Sequence, residues 1–380
     1  MAQKKALPWL EVIPLVRSLF VITDPGRDQD DEDALVLLNR YLRMSILDVL
    51  GVVANLAPSN KRAQLARGTL DQLGLPEIPV GIGTQCMQPD DDGLDYQFAV
   101  TYMASEDTVH DGKTLLRRTL EGAMPGQIVL VLLSGLTDAY EILREEPALF
   151  ASRIRRVVFM GGVAAKGDNV KIDANGRFHP DPTAQNVKFD TGSAEFLYKQ
   201  LQLLGIPMTV LTRHAASVAK VPRSAYDEMA ATGHPVGIRV RDAQKIAIEK
   251  LWHRANLPDN DPRRMDLPGR CNAAWFRGAF LGGNGTDRGL DDSIWDLVET
   301  FMLYDPLTLF AAIPTLREYF FEPEVVEVND ANGRPVEHLF IGVSAARHGV
   351  SHPEELSSYL MKALVESLEM AVAEPERMTG

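Results

Sequence analysis

The sequence predicts an α/β protein whose central sheet is mostly parallel and carries helices on both faces. Short apolar runs recur along the first half of the chain, and each is followed by a polar or glycine-containing segment. Apolar residues at helical spacing come next. This repeated order of strand, loop and helix is typical of parallel sheets that are covered on both sides. No repeat and no linker interrupts the order, so we expect one domain over residues 1–380.

The individual elements are read from apolar periodicity and from glycine, proline and polar breaks. Strands are predicted at 19–22, 47–55, 78–82, 128–133, 157–160 and 207–211, and a terminal hairpin at 324–328 and 338–343. Helices are predicted at 30–44, 60–73, 113–120, 193–204, 294–303 and 351–370, in two pieces within 222–257, and from the segment 134–138 to about residue 144. Parallel sheets bind ligands at the carboxyl ends of their strands, so we expect the functional residues in the loops that follow.

Two loop-like segments are long enough to carry function. Residues 162–190 are polar and rich in turn residues, and residues 256–270 are charged and contain prolines. We expect the second segment to be an insertion over the site. Trp275 follows it and belongs either to the core or to the cap of a pocket.

The composition limits the partners and the location of the protein. Hydrophobic residues make up 45% of the 380 residues, which is enough for a large buried core. The formal net charge of -13 argues against nucleic acid and against an anionic membrane, because both need a basic face. The two cysteines, Cys86 and Cys271, lack metal-ligand spacing and read as free thiols of a reducing compartment. Residues 1–10 show no signal-peptide core and no apolar run spans a bilayer, so we expect a cytoplasmic protein.

Carboxylates crowd the turn that follows the first predicted strand. The six are Asp24, Asp28, Asp30, Asp31, Glu32 and Asp33. So many like charges at a strand end are costly unless a cation lies among them, and hard metal ions take carboxylate oxygens. The alternative is an acidic helix start that complements the helix dipole. Asp24 precedes the turn, where capping does not explain it, so we favour a metal site.

Several blocks resemble, in order, the motifs of the inosine-uridine nucleoside hydrolase family. They are Asp24-Pro25-Gly26 with Asp30-Asp31 and Ala34-Leu35, then Asn55, Gly135-Leu136-Thr137-Asp138, Met160-Gly161-Gly162, Asn186 to Asp190, and Tyr304-Asp305-Pro306. The ordered set covers about residues 20–345. It most resembles a divergent branch that includes effectors of plant-pathogenic bacteria. The resemblance implies a nucleoside hydrolase-like fold with a Rossmann-type core, and a homo-oligomer that is a dimer or a tetramer.

The resemblance also implies a hydrolase of N-glycosidic bonds that holds Ca²⁺ at the bottom of its pocket. Hydrolysis of such a bond needs a positioned water, a grip on the ribose hydroxyls and help for the departing base. At the matching positions, Asp24 would be a metal ligand and the general base, and Asp31 would be a second ligand. Asp305 would be the late ligand, and the backbone carbonyl of Leu133 would complete the set.

The acidic loop is two residues longer than the family pattern, so Asp28 competes with Asp31 for the ligand role. We prefer Asp31, because Asp30-Asp31 is the only adjacent aspartate pair in the loop. Counting back from Ala34 would point to Glu32-Asp33 instead. The sequence leaves these alternatives open.

The resemblance assigns the substrate contacts to further positions. Asp30 would accept from the ribose diol, and Asn55 and Asn186 would bind ribose hydroxyls. Tyr304 stands where many members have a histidine that protonates the leaving base. A phenol has a pKa of about 10 and is a weaker acid at neutral pH than the imidazole of histidine. The resemblance therefore does not decide whether the hydrolase activity is retained.

Ala184-Gln185 replaces the Glu-Phe of the family and removes a carboxylate that meets the ribose 5'-hydroxyl. A 5'-phosphate would then not be repelled, and the candidates to bind it are Arg213, His214, Arg27 and Lys188. A surface role for Arg213-His214 is the alternative. Two functions follow: an N-ribosyl hydrolase, or a non-hydrolytic protein that keeps the calcium and ribose pocket and binds a nucleoside or an ADP-ribose-like ligand. A phosphohydrolase would need a further His or Asp cluster, which the sequence lacks.

Overall fold

The computed structural model of the chain describes residues 17–86, 95–264, 267–285 and 287–373. Residues 1–10, on which the expectation about a signal peptide depended, lie outside these ranges. Among the described helices, none is both long enough and apolar enough to cross a membrane.

The longer strands of the central sheet coincide with the apolar runs of the sequence, because β-branched and aromatic residues suit a pleated, buried surface. Within the described residues they are β1 (Arg17–Thr23), β2 (Leu47–Ala54), β3 (Val80–Ile82), β4 (His110–Asp111), β5 (Ile128–Leu132), β6 (Ile154–Gly161), β7 (Ala165–Lys166), β8 (Asn169–Val170), β9 (Met208–Thr212), β10 (Val221–Pro222), β11 (Thr300–Phe301), β12 (Glu324–Asn329) and β13 (Pro335–Ile341).

The helices mostly follow the strands, as the alternating pattern predicts. They are α1 (Asp30–Arg43), α2 (Ser59–Gln72), α3 (Gly112–Gly122), α4 (Thr137–Glu145), α5 (Pro147–Arg153), α6 (Gln185–Lys188), α7 (Thr191–Leu203), α8 (Arg213–Ala216), α9 (Ser224–Ala231), α10 (Pro235–Asn256), α11 (Ala273–Phe280), α12 (Tyr304–Ala312), α13 (Pro314–Phe320) and α14 (Pro353–Ala373).

The central sheet has the strand order β12-β13-β9-β6-β5-β1-β2-β3-β4 within the described part of the chain. Every neighbouring pair in it is parallel except the antiparallel hairpin of β12 and β13. Strand β1 lies between β5 and β2, where Val21 is in register with Val131 on one side and Val52 on the other. The carboxyl ends of these strands therefore meet at one edge, next to the acidic loop.

Apolar side chains cover both faces of the sheet. Leu19 and Val21 of β1 belong to one buried cluster, whereas Phe20 and Ile22 belong to the other. Successive side chains of a strand point to opposite faces, so one apolar run supplies both cores. The predicted fold class, a mostly parallel sheet with helices on both faces, is confirmed.

The helix predicted at 294–303 is wrong. This segment contains a short 3-10 turn at Trp295–Leu297 and the two-residue strand β11, which pairs with β10, and α12 begins only at Tyr304. The apolar residues Ile294, Val298 and Phe301 are all buried. Their spacing of four and three residues copies a helical face, although tertiary packing rather than a helix places them inside.

Candidate functional site

The carboxyl end of β1 opens into a cavity of about 320 Å³ that gathers most of the predicted site residues. Its lining includes Asp24, Asp28, Asp30, Asp31, Leu133, Asn186, Arg213, Tyr304 and Asp305. We call this space the carboxylate cavity. These residues follow the carboxyl ends of β1, β5, β6 and β9, and the late residues come from the start of α12, so distant parts of the sequence meet at one edge of the sheet.

Hydrogen bonds hold the carboxylates of the first helical turn in place. One oxygen of Asp31 accepts from the hydroxyl of Thr23 and from the backbone N–H of Asp24, the latter at 2.8 Å. One oxygen of Asp30 accepts from the N–H groups of Tyr304 and Asp305, at 3.0 and 3.4 Å. The start of α12 is thus tied to the start of α1, which brings Asp305 to the acidic loop.

Burial raises the pKa values of these carboxylates. It raises the pKa of Asp24 to about 7, against which the charge of Arg62 acts, and it raises the pKa of Asp30 to about 8, helped by the charge of Asp28. Burial and the neighbouring carboxylates also raise the pKa values of Asp31 and Asp305 well above the usual range. A bound cation would relieve this mutual repulsion.

The donors fit a hard cation such as calcium. Asp28, Asp30 and Asp31 each offer an oxygen within 4.8 Å of the others, and Asp24 and Asp305 line the same cavity. All are oxygen ligands, which Ca²⁺ prefers. Asp28 is exposed and Asp31 is buried, and because both stand in this group, the choice between them stays open.

The carbonyl of Leu133 and the amide of Asn186 lie together in the cavity wall. The Nδ2 group of Asn186 donates to the Leu133 oxygen at 2.7 Å and to the Met160 oxygen at 3.1 Å. A carbonyl oxygen has two lone pairs, so Leu133 keeps one for a metal ion. The contact of Asn186 with a ribose hydroxyl stays a prediction.

The structure does not bring Asn55 into the cavity wall. Asn55 is fully buried, its Nδ2 donates to the Gly135 oxygen at 2.9 Å and to Asp138 at 2.8 Å, and its Oδ1 accepts from the Ser134 hydroxyl. These bonds occupy its amide, which differs from the predicted contact with a ribose hydroxyl. The reason is local, because the Gly135 oxygen and the Asp138 carboxylate each accept one N–H of the amide.

Glu32 and Asp33, the alternative metal pair, lie outside the cavity. Both are fully buried. Glu32 lies 3.3 Å from the guanidinium of Arg239 on α10, and Asp33 accepts from the Tyr226 hydroxyl at 3.1 Å. They therefore link α1 to α9 and α10, and the carboxylate cavity is built from Asp30 and Asp31 instead.

Arg62 is a site residue that the sequence motifs did not reveal. It lies on α2 with 2% of its side chain exposed, and its Nη1 donates to the backbone oxygens of Asp24 and Pro25 at 2.6 and 2.9 Å. It also donates to the Ala57 oxygen at 3.3 Å. Arg62 thus fixes the backbone of the acidic turn from beneath.

Replacing Arg62 by methionine should lower the free energy of unfolding by roughly 2–4 kcal/mol, because three buried carbonyls lose a charged donor. It should also weaken calcium binding. Arg67→Met is the matched control, since Arg67 is also buried on α2 but donates to the backbone oxygens of Leu75 and Ile78, away from the turn. Urea unfolding and calcium calorimetry measure both effects. Equal calcium affinity in the two variants would contradict the role given to Arg62.

Arginines line the same cavity as the carboxylates. Arg27, Arg213, Arg254 and Arg270 line the cavity together with Leu267, Pro268 and Cys271. The segment expected to lie over the site thus contributes to its lining. Arg213 donates to Asp181 and to the Thr183 hydroxyl, both at 3.1 Å, which orients it from the long polar loop. The only feature of the sequence that pointed to Arg270 as a site residue was the charged character of the segment 256–270.

Tyr304 lines two neighbouring cavities. A second cavity of about 740 Å³ shares Arg27, Asp28, Asp30, Arg254 and Tyr304 with the first. The Tyr304 hydroxyl is 3.5 Å from the sulfur of Met302. Burial and the charge of Asp30 raise the pKa of this phenol above its usual value, which makes it a still weaker acid at neutral pH.

Residues 19–336 match the family described as inosine-uridine preferring nucleoside hydrolase. A curated relative from Oryza sativa subsp. japonica, "Probable uridine nucleosidase 1", is 24% identical over 186 residues, which are 46% of this chain and 56% of the relative. The chain therefore spans about half the length of this relative.

Two solved structures resemble the protein over nearly its whole length. The type III effector protein XopQ, complexed with adenosine diphosphate ribose, has 30% sequence identity and a TM-score of 0.75, and the match covers 95% of each chain. The effector protein XOO4466 has 29% identity and a TM-score of 0.74, with 95% of this chain and 96% of that chain covered.

Proposed function

Because the chain belongs to the inosine-uridine preferring nucleoside hydrolase family, we propose that it is a calcium-dependent hydrolase that cleaves the N-glycosidic bond of a ribonucleoside or a ribose-containing nucleotide. The predicted family resemblance is confirmed, and the likeness to two effector proteins agrees with the divergent branch. One observation carries the proposal: the carboxylate cavity combines crowded carboxylates and the Leu133 carbonyl, which suit a metal ion, with the Asn186 amide, which suits a ribose hydroxyl.

The residues of the cavity divide the chemistry among them. Asp24 acts as the general base that accepts a proton from the attacking water. Asp30 and Asn186 hold the ribose hydroxyls. Asp24, Asp305, the Leu133 oxygen and either Asp31 or Asp28 would hold calcium, which would polarise the attacking water. The negative floor also favours the oxocarbenium-like transition state of glycosidic cleavage.

The lining of the carboxylate cavity favours a ligand that carries negative charge at the 5' carbon of its ribose. Ala184 and Gln185 line the cavity where a carboxylate is absent, and Arg213 and Arg270 line it as well. A phosphate at the 5' carbon would therefore meet positive charge rather than repulsion. Ribose-containing nucleotides, including ADP-ribose-like molecules such as the one bound to XopQ, fit this arrangement better than neutral nucleosides alone.

A non-hydrolytic binding protein is the second candidate, and Tyr304 is the observation that favours it. The residue expected to protonate the leaving base is a phenol whose pKa is raised by burial. The pocket would then keep the calcium and the ribose but release no base.

Incubation with calcium and single ligands separates the two candidates. Inosine, uridine, adenosine and ADP-ribose are added to the purified protein, and mass spectrometry follows the free base and the ribose. Release of base supports the hydrolase. Tight binding with every ligand intact supports the binding protein, and absence of both binding and cleavage would overturn both candidates.

Replacing Tyr304 by histidine should increase base release about tenfold or more at neutral pH, because an imidazole with a pKa near 6.5 is a better proton donor than the phenol. Initial rates of base release measure the effect. Tyr304→Phe is the control, since it keeps the ring and the backbone N–H that donates to Asp30. If the histidine variant were no faster than the phenylalanine variant, proton donation at this position would not limit the reaction.

Several expectations about the whole protein stay predictions. The resemblance implies a homo-oligomer, either a dimer or a tetramer. A cytoplasmic location agrees with two free cysteines, one of them half-buried and one buried. Nucleic acid and membranes are not expected as partners, because the chain carries a formal net charge of -13. One domain over residues 1–380 also stays a prediction.

A further inference from the structure

We propose that Arg264 is a positioning residue that holds part of the basic lining of the carboxylate cavity in place, and thereby gives the protein a preference for ribosides that carry a 5'-phosphate. Arg264 is not itself among the described residues that line the cavity. Of the four described arginines in that lining, it fixes the backbone or the side chain of two, Arg254 and Arg270. This role rests on the proposed function, because it concerns the 5' end of a ligand in the same ribose pocket.

One half of the Arg264 guanidinium caps the end of α10. Arg264 is buried, with only 2% exposed. Its Nη1 group donates to the backbone oxygens of Arg254, Ala255 and Leu257, at 3.3, 3.5 and 3.1 Å. The last carbonyls of a helix have no partner inside the helix, and a cation at that end complements the helix dipole. The side chain of Arg264 therefore fixes the end of α10.

The other half of the guanidinium holds a tight turn that carries Arg270. The N–H of Cys271 donates to the Pro268 oxygen at 2.8 Å, so Gly269 and Arg270 are the central residues of this turn. The Nη2 group of Arg264 donates to the oxygens of Pro268 and Cys271, at 3.1 and 3.4 Å. One guanidinium thus fixes the backbone on both sides of Arg270, which lines the cavity.

The backbone of Arg264 also orients the side chain of Arg254. The Nε and Nη2 groups of Arg254 donate to the Arg264 oxygen at 3.3 and 3.0 Å. Each of the two arginines therefore donates to the backbone oxygen of the other. Because Arg254 lines the carboxylate cavity, loss of the Arg264 side chain should release both Arg254 and the turn of Arg270.

The chemistry of arginine explains why this position needs it. A buried charge is costly unless it is hydrogen-bonded, and the planar guanidinium carries five donors that can reach two separate segments at once. A guanidinium also binds phosphate through two parallel hydrogen bonds. Arginines on a fixed backbone lose less conformational freedom when they bind such a group, so positioning them raises the affinity for phosphate.

The test compares adenosine with adenosine 5'-monophosphate, which differ only in the phosphate. Both are titrated by calorimetry into the full chain at saturating calcium, and the ratio of their affinities is the phosphate preference. If the protein cleaves them, the ratio of kcat/KM values replaces it. The unaltered protein should prefer the monophosphate about tenfold or more, as charge-assisted hydrogen bonds to phosphate predict.

Replacing Arg264 by methionine should lower the phosphate preference to about threefold or less, while the affinities for calcium and for adenosine stay within about twofold. Arg270→Met removes one of the positioned groups directly. Because Arg264 acts through Arg254 and Arg270, the double variant Arg264→Met with Arg270→Met should show the same preference as Arg264→Met alone. Independent, additive losses in the two variants would overturn the positioning role.

Arg67→Met is again the matched control. Arg67 is also buried and also donates to backbone oxygens, those of Leu75 and Ile78, but it is not among the described residues of the cavity lining. Its replacement should leave the phosphate preference unchanged. If Arg264→Met does not fold, Arg264→Lys takes its place. Lysine keeps the charge, but its single ammonium group cannot bridge α10 and the turn, so the preference should fall there too.

The outcomes separate this role from the proposed function. Equal binding of adenosine and its monophosphate by the unaltered protein overturns the role of Arg264 and leaves the calcium and ribose pocket standing. Absence of both binding and cleavage of the two ligands overturns the proposed function as well. A phosphate preference that survives in Arg264→Met, an equal loss in Arg67→Met, or a parallel loss of calcium and adenosine binding in Arg264→Met also overturns the positioning role.

Discussion

Replacing Asp24 by asparagine is expected to lower the rate of ribose release about a thousandfold. Asparagine keeps the shape of the side chain but cannot accept the proton of the attacking water, and it removes one negative oxygen ligand from the floor. The backbone N–H of Asp24 still donates to Asp31, so the turn should keep its shape. Single-turnover rates at saturating calcium and ligand measure the loss.

Asp71→Asn is the control for this variant. Asp71 is an exposed carboxylate on α2 that pairs with Arg67 and lies outside the cavity lining. Its replacement should leave ribose release unchanged. Ribose release by Asp24→Asn within threefold of the unaltered protein would rule out Asp24 as the general base.

The metal-free protein is expected to lose stability as the pH rises from about 4 to about 8. Asp24 and Asp30 have folded-state pKa values of about 7 and about 8, against an ordinary value of 3.8. In this window the folded state binds more protons than the unfolded state, so the free energy of unfolding falls as the pH rises. The loss should reach several kcal/mol, on the order expected for two buried carboxylates.

Calcium should reverse the loss, because it binds the ionised carboxylates of the folded protein. At about one hundred times its dissociation constant it should add about 2.7 kcal/mol to the free energy of unfolding. Thermal unfolding across the pH range, with calcium and with a chelator, measures the effect. Asp30→Asn removes one of the raised groups and should flatten the metal-free profile. An increase in the stability of the metal-free protein from pH 4 to pH 8 would contradict the crowding of carboxylates in the cavity.

Local sequence signals predicted the part of the site that is contiguous in the chain. The apolar run before Asp24, the turn at Gly26 and the helix after Gln29 follow from spacing and composition alone. The order of strand, loop and helix also predicted that the ends of β1, β5 and β6 meet. These features depend on residues close in sequence, where periodicity is informative.

Contacts between distant segments were not predictable in the same way. Arg62 is one arginine on an amphipathic helix, and only the fold shows that it reaches the carbonyls of Asp24 and Pro25. Asn55 matched a family motif, yet its side-chain amide donates a hydrogen bond to Asp138. A motif states which residue type occurs, whereas hydrogen-bond partners depend on the packing of several loops.

Crystals grown with calcium and ribose test the central claim most directly. The anomalous difference signal of calcium should give one peak in the carboxylate cavity, at about 2.3–2.6 Å from oxygens of Asp24 and Asp305 and of either Asp28 or Asp31. The ribose diol should lie beside the same peak, next to Asp30. A cavity without a calcium peak at saturating calcium, or a peak that contacts neither Asp24 nor Asp305, would contradict the account.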